Sequence, residues 1–212
     1  VLGRNHENSW IVIYWIMGRS SNSRNRIFTQ KKTILQTQAA DWSIVEDPSL
    51  IIYNAMRDLG DFIVVSNGKH TDTICKELEG GKNFYTALRS EKHEPDPPNY
   101  TPRISGIINL EEGSMSLSII RKSDFSVEHS EYCLYSYPEI APGYGYCLTT
   151  YMGDDNPLQS FKGDPLLLPL HGNLEKIASI YWQELNQDNR ISLAVRELTQ
   201  TGEDRLKIIN RN

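Results

Sequence analysis

A short polar segment that follows an apolar stretch has the composition of an anion-binding turn. The segment, VVSNGKHTDT, covers residues 64–73, and residues 61–65 predict the strand that leads into it. Asn67-Gly68 is a strong turn dipeptide, and residues 71–73 are all types that cap helices. A strand, a glycine turn and a helix N-terminus present free backbone amides and the positive end of a helix dipole to an anion. A well-capped turn without a ligand is the alternative.

The charge of the chain restricts where an anion could bind. The formal net charge is -5 and the pI is about 5.6, which argues against a general nucleic-acid-binding protein. A phosphate site must therefore use a few local cations. Arg19, Arg24 and Arg26 lie in the most basic short run, GRSSNSRNR.

Length and cysteine content predict a single domain over residues 1–212 in a cytoplasmic protein. The 212 residues suffice for one sizeable core. The three cysteines show no metal-binding spacing, and an odd number without a signal peptide predicts reduced cytoplasmic thiols. The apolar run Trp10–Met17 is too short to span a bilayer, which needs about 20 helical residues, so we expect a buried strand and no membrane contact.

The order of the predicted elements favours an α+β fold, with many strands and two separate helical regions. Residues 50–59 have a weak helical spacing that Gly60 would end. Prolines make residues 94–102 a loop. The remaining predictions are strands near 10–17, 32–38, 62–65, 131–137, 145–151 and 190–198, a hairpin of strands over 103–109 and 115–121, and helices over 73–79, 83–92 and, with Asn173 as its cap, 174–185.

Several motifs in this order resemble the archaeal-type IMP cyclohydrolase family. The longest block is residues 60–74, which contains SNG-x-HTDT, and the second is residues 99–104, NYTPRI. The other segments that carry the resemblance are Leu2-Gly3-Arg4, residues 18–26, Tyr53-Asn54, residues 94–96 and Asn109, with weaker likeness at 149–151 and 194–198. The resemblance therefore covers nearly the whole chain.

The resemblance implies a reaction and a fold. The family closes the purine ring of 5-formamidoimidazole-4-carboxamide ribonucleotide (FAICAR) to give IMP and water, the last step of de novo purine synthesis. Its fold is similar to the four-layer αββα sandwich of N-terminal-nucleophile hydrolases. The sequence begins Val1-Leu2, with no Ser, Thr or Cys at position 1, so we do not expect the terminal nucleophile of those hydrolases. Ring closure needs no metal or other cofactor, and a homo-oligomer fits the family.

The same resemblance implies site residues. Arg26, Tyr53 and Glu94 are the candidates for proton transfer and oxyanion stabilisation. The candidates for substrate binding are Asn67, Gly68, His70, Thr71, Thr101 and Arg103. We expect only a supporting role for His70, because a lone histidine in a turn is more often structural.

Each candidate has an alternative explanation. Tyr53 could be an apolar ring on the 50–59 segment with its hydroxyl in water, and Arg26 and Glu94 could be exposed surface charges. Arg103 could pair with a carboxylate such as Asp72 and only brace the loop. For the whole chain, the alternatives are a non-catalytic purine-nucleotide-binding protein or an amide cyclase or hydrolase that acts on another nucleotide.

Overall fold

A computed structural model describes residues 1–45, 48, 51–153 and 155–211. The strands are β1 (Leu2–Arg4), β2 (Trp10–Met17), β3 (Arg26–Lys31), β4 (Ile34–Ala39), β5 (Asn54–Leu59), β6 (Phe62–Ser66), β7 (Arg103–Asn109), β8 (Ser114–Lys122), β9 (Ser130–Tyr137), β10 (Tyr144–Cys147), β11 (Tyr151–Met152), β12 (Gln159–Ser160), β13 (Leu166–Pro169), β14 (Arg190–Leu198) and β15 (Asp204–Asn210). The helices are α1 (Ser21–Arg24), α2 (His70–Glu79), α3 (Phe84–Leu88) and α4 (Leu174–Glu184), with a short 3-10 turn at Trp42–Ile44.

The chain divides into two compact units. The first unit contains Val1–Asn54, Ile140–Tyr146 and Leu167–Asn212, and the second contains Ala55–Glu139 and Cys147–Leu166. Each unit is built on an antiparallel sheet, so the predicted α+β class is confirmed. The single domain over 1–212 stays a prediction.

The sheet of the first unit has the strand order β13-β10-β1-β2-β14-β15. Its central strand, β2, is the apolar run expected to be buried, and it pairs with β1 and β14. Ile11 and Ile13 of β2 pack with Ile177 and Ala178 of α4, so the odd-numbered face of β2 lies against the helix. Period-two alternation then turns Val12, Tyr14 and Ile16 to the opposite face.

Helix α4 begins where the sequence predicts. The Asn173 side chain accepts a hydrogen bond from the amide of Lys176 at 3.0 Å, which satisfies one of the unpaired amides of the first turn. The cap fixes the start of the helix that covers one face of the sheet.

The hairpin β3–β4 is tied to the sheet edge in the same unit. The Asn210 side chain of β15 accepts from the amide of Phe28 at 2.9 Å and donates to its carbonyl at 3.0 Å. This pair of bonds imitates a strand pairing and fixes the position of β3, which begins at Arg26.

The second unit is a meander, β5-β6-β7-β8-β9, in which successive strands are antiparallel. Helices α2 and α3 cover one face. Their buried side chains, Ile74, Cys75, Phe84, Ala87 and Leu88, pack on Val64, Ile107 and Ile120 of the strands. The hairpin predicted over 103–109 and 115–121 is confirmed as β7 and β8.

The helix predicted over residues 50–59 is wrong. Residues 54–59 form β5, which pairs with β6 from Met56↔Val65 to Leu59↔Phe62. Gly60 does adopt a positive φ, +55°, but in the tight turn of this hairpin. Strand pairing across this hairpin therefore overrides a weak helical periodicity. Leu50, where the predicted helix would begin, lies outside the described residues.

Among the described residues, no helix combines the length and the apolar character required to cross a membrane. Cys75, Cys133 and Cys147 are free thiols.

We expect Asn173→Ala to lower the free energy of unfolding of the first unit by about 1 kcal/mol, because the Lys176 amide loses its side-chain partner. Chemical denaturation followed by circular dichroism measures this change. Asn173→Asp is the matched control, since a carboxylate keeps the cap. An equal loss in both variants would show that the cap is not the stabilising interaction.

Candidate functional site

The predicted anion-binding turn lies between β6 and α2 in the second unit. Helix α2 begins at His70, with Lys69 in the cap position and no side-chain cap bond. The prediction that residues 71–73 cap this helix is wrong, because the helix starts before them. The turn is closed instead by hydroxyls: Ser66 and Thr71 each donate to the carbonyl of Gly68, at 3.1 and 3.2 Å. Thr71 is fully buried, so its contact with a ligand stays a prediction.

Asn67 braces this turn against the segment that leads into β7. Its side-chain amide donates to the carbonyl of Pro102 at 2.9 Å, and its side-chain oxygen accepts from the amide of Ile104, also at 2.9 Å. A further contact reaches the Thr150 hydroxyl at 3.3 Å. Both ends of the Asn67 side chain are therefore engaged within the protein, and substrate contact by Asn67 stays a prediction.

Arg103, the first residue of β7, joins three segments. Its Nη1 lies 2.6 Å from Oε1 of Glu94, and its Nε donates to the carbonyl of Lys92 at 2.6 Å and lies 3.4 Å from Glu91. Arg103 does pair with carboxylates, as the alternative explanation expects, but these are Glu94 and Glu91, whereas Asp72 lies 2.8 Å from Arg57. Two predicted site residues, Glu94 and Arg103, are thus brought together as an ion pair.

His70 also contacts the guanidinium of Arg103. Its Nδ1 lies 3.3 Å from Nη1 of Arg103, and its Nε2 lies 3.2 Å from the carbonyl of Ile104. An arginine only donates and a carbonyl only accepts, so the imidazole must be neutral with its proton on Nε2. Burial, reinforced by the charge of Arg103, lowers the pKa of His70 to about 3. His70 therefore holds Arg103 and does not exchange protons near neutral pH.

Gly68 leaves room for this cluster. A Cβ on Gly68 would lie 3.2 Å from Nδ1 of His70, 3.4 Å from Nη1 of Arg103 and 3.6 Å from Oε1 of Glu94. Any larger residue would press on the atoms that align the ion pair. Four of the predicted residues, Gly68, His70, Glu94 and Arg103, thus form one group within the second unit.

Glu94 has the environment of a proton-exchanging group. Burial raises its pKa, and the positive charge of Arg103 partly offsets that effect. Its backbone amide donates to the carbonyl of Thr101 at 2.9 Å. The Thr101 amide donates in turn to Asp96 at 2.6 Å, and the Thr101 hydroxyl bonds to both Asp96 and the hydroxyl of Tyr151. These bonds fix the backbone of Glu94, and substrate binding by Thr101 stays a prediction.

Tyr151 is a neighbour that the sequence did not single out. Its hydroxyl lies 2.5 Å from that of Thr101. Burial raises the pKa of Tyr151, and the nearby carboxylates of Asp96 and Glu94 raise it further. The weak family resemblance at 149–151 is the sequence signal that could have pointed to Tyr151.

Tyr53 and Arg26 belong to the first unit. Tyr53 is a buried residue, 8% exposed, and both its catalytic role and the alternative stay predictions. Its amide donates to the Thr37 hydroxyl at 3.0 Å and its carbonyl accepts from the Thr37 amide at 3.0 Å. Its hydroxyl lies 2.8 Å from that of Tyr14. Arg26, partly buried, donates from Nε to the carbonyl of Ser23 at 3.0 Å, and its charge acts on Tyr14.

A groove of about 490 Å³ lies elsewhere in the second unit. It is lined by residues such as Phe62, Lys82, Asn109 and Met115. Phe62 and Ser66 are at opposite ends of β6, so the groove and the anion-binding turn lie at different ends of this strand. The groove includes none of the predicted site residues. Within the described ranges, no group of three His, Cys, Asp or Glu side chains is arranged to hold a metal ion.

The neutral state of His70 predicts a pH dependence. The unfolded chain protonates this histidine near pH 6.5, whereas the folded chain does so only near pH 3. The unfolded state therefore binds more protons between these values, and His70 removes stability as the pH falls through this window. Stability measured by denaturation from pH 7 to pH 3 should fall less steeply in His70→Gln, which keeps both hydrogen bonds without titrating. Exposed His129→Gln is the control, and identical slopes in all three proteins would contradict the neutral assignment.

Comparison with known proteins identifies the family. A family model described as "IMP cyclohydrolase-like protein" matches residues 1–203. The chain is 31% identical over 143 residues to an IMP cyclohydrolase of Methanosphaera stadtmanae, which covers 65% of this chain and 64% of that protein. It is 27% identical over 168 residues to an IMP cyclohydrolase of Methanocaldococcus jannaschii, with 77% and 78% covered. An IMP cyclohydrolase of Haloquadratum walsbyi is 30% identical over 114 residues, with 52% and 55% covered.

The chain thus spans a little less than two thirds of the Methanosphaera relative and more of the Methanocaldococcus one. The family match contains every predicted site residue, from Arg26 to Arg103, and includes parts of both units. On this match, the chain belongs to the IMP cyclohydrolase-like protein family.

Proposed function

We propose that this protein is an IMP cyclohydrolase that converts FAICAR to IMP and water. Family membership and the names of the relatives support the reaction class. The carboxyl of Glu94 is the feature that supports catalysis rather than binding alone. Its pKa is raised by burial, and it is held by a guanidinium at 2.6 Å. A binding protein has no need for a carboxyl prepared in this way to exchange a proton.

The reaction sets limited demands on the protein. The carboxamide nitrogen attacks the formyl carbon of the same molecule, and the resulting hydroxyl leaves as water. Because both groups are attached to one imidazole ring, the substrate itself provides much of the proximity. The protein must remove a proton from the nitrogen, stabilise the developing oxyanion and protonate the departing hydroxyl.

We assign these tasks to residues that the family motifs supply. Glu94 and Tyr53 are the acid–base groups, because each is partly or wholly buried and each ends in an exchangeable proton site. Arg26 supplies a permanent positive charge for an oxyanion or phosphate. Arg103 is engaged by Glu94 and Glu91, so we assign it to the alignment of Glu94.

The phosphate of the nucleotide is assigned to the turn between β6 and α2. Gly68 and the following residues start a ten-residue helix, whose first amides and dipole favour an anion. Lys69 is exposed at this end of the helix and adds a positive charge. Asn67, Thr71 and Thr101 give the turn and the adjoining loop their shape.

The proposal also covers the fold, the substrate, the oligomeric state and the location of the protein. A four-layer αββα sandwich is supported by the packing of α4 on one sheet and of α2 and α3 on the other. A purine ribonucleotide is the substrate of the proposed reaction. Homo-oligomerisation and a cytoplasmic location stay predictions.

The direct test mixes the purified protein with FAICAR, without added metal, and follows IMP formation by absorbance against the spontaneous rate. We expect clear acceleration. A protein that binds IMP but does not accelerate closure would establish the alternative of a purine-nucleotide-binding protein. Closure of a different formamido-carboxamide nucleotide, with none of FAICAR, would establish the other alternative.

In the same assay, Glu94→Gln should lower kcat by about 10²–10⁴-fold, the usual contribution of general acid–base catalysis. The matched control is Glu91→Gln, which removes the other carboxylate at Arg103 but leaves Glu94 in place. A similar loss in both variants would mean that the charge around Arg103, and not proton transfer by Glu94, limits the reaction.

A further inference from the structure

Tyr14 faces the proposed acid–base residue of the first unit. It lies on the central strand β2, opposite Ala194 of β14, on the face turned away from α4. Its ring is 5.4 Å from that of Phe28, and its hydroxyl is 2.8 Å from the hydroxyl of Tyr53. Neither its motif context nor the family resemblance of the sequence singles out this residue.

We propose that Tyr14 is a positioning residue that donates its hydroxyl proton to the hydroxyl oxygen of Tyr53 and stabilises Tyr53 as a phenolate. This inference rests on the proposed role of Tyr53 in proton transfer. Tyr14 itself gives no proton to the substrate and receives none.

The direction of the hydrogen bond follows from the surroundings of the two rings. Burial raises the pKa of Tyr14 well above its ordinary range, and the neighbouring Tyr53 raises it further. The charge of Arg26, on β3, acts in the opposite sense. On β14, the facing residue is Ala194, which carries no charge. The 2.8 Å geometry permits either hydroxyl to donate, and we assign Tyr14 as the donor because the pKa of Tyr14 is raised.

The hydrogen bond from Tyr14 stabilises Tyr53 most when Tyr53 is charged. Tyr53 is a phenolate after it has given a proton to the departing hydroxyl, or before it takes one from the carboxamide nitrogen. In both cases a hydrogen bond to the charged oxygen is roughly twice as strong as one to the neutral hydroxyl. Tyr14 thus acts on the proton-transfer step through Tyr53, while it makes no contact that would alter substrate affinity.

Tyr14→Phe tests the proposal, because phenylalanine keeps the ring contact with Phe28 and removes only the hydroxyl. We expect kcat to fall by about tenfold to a hundredfold with KM unchanged, as for loss of a hydrogen bond to a charged group. The limb of the pH–rate profile that Tyr53→Phe abolishes should move to higher pH. Tyr181→Phe is the matched control, since it removes a hydroxyl bonded to the carbonyl of Pro169 on α4's side of the sheet.

The double variant separates positioning from general stability. Tyr14→Phe combined with Tyr53→Phe should be no slower than Tyr53→Phe alone, because Tyr14 acts only through Tyr53. Additive losses, or a slower enzyme with an unchanged pH profile, would overturn the proposal.

A spectroscopic titration keeps the inference independent of activity. The difference in near-ultraviolet tyrosinate absorbance between the protein and Tyr53→Phe isolates Tyr53 among the 11 tyrosines. Its midpoint should move to higher pH when Tyr14 is Phe. This shift in a protein without cyclohydrolase activity would refute the proposed function and leave the Tyr14–Tyr53 pairing intact, whereas no shift in an active enzyme would refute the pairing alone.

Discussion

Arg103 is the group on which the arrangement of the second unit's site depends. A guanidinium that is only 16% exposed must have its donors satisfied, and its partners come from two segments. Glu91, Lys92 and Glu94 come from the loop before β7, and His70 comes from the start of α2. The same contacts that satisfy Arg103 hold Glu94 in one place and keep His70 neutral. The ion pair with Arg103 thereby gives the Glu94 carboxyl a defined position, while burial raises its pKa against the lowering effect of the guanidinium charge.

In the first unit, the corresponding contacts are made by neutral side chains. Tyr53 is a buried residue, and its hydroxyl has the hydroxyl of Tyr14 as a hydrogen-bond partner at 2.8 Å. The backbone of Tyr53 is fixed by Thr37 and the position of β3 by Asn210. In both units, therefore, an ionisable group is held by a partly buried partner side chain. Such preorganisation is what a proton-transfer site requires.

The sequence predicts the elements with strong local signals and misses those whose type is decided by strand pairing. Strand β14 and the start of α4 agree with their patterns because alternation and an Asn cap are local. Strand β5 is missed because its pairing with β6 outweighs a weak helical spacing. The resemblance supplies Glu94 and Arg103 separately, but their ion pair requires the fold. The sequence does not single out Tyr14, because a tyrosine within the apolar run of β2 is expected to be a core residue. Its role depends on the contact with Tyr53, which only the fold shows.

We propose that Glu94 is a proton-exchanging carboxyl whose pKa is raised by burial and lowered in part by the charge of Arg103. Carbon NMR of the Glu94 carboxyl, titrated in the protein and in Arg103→Met, measures this pKa directly, with Arg103→Lys as the variant that keeps the positive charge. We expect a Glu94 pKa above its ordinary value of 4.5 in the unaltered protein. We also expect a further rise in Arg103→Met, with a smaller change in Arg103→Lys. A pKa at or below 4.5 in the unaltered protein, or one that falls when Arg103 becomes Met, would contradict it.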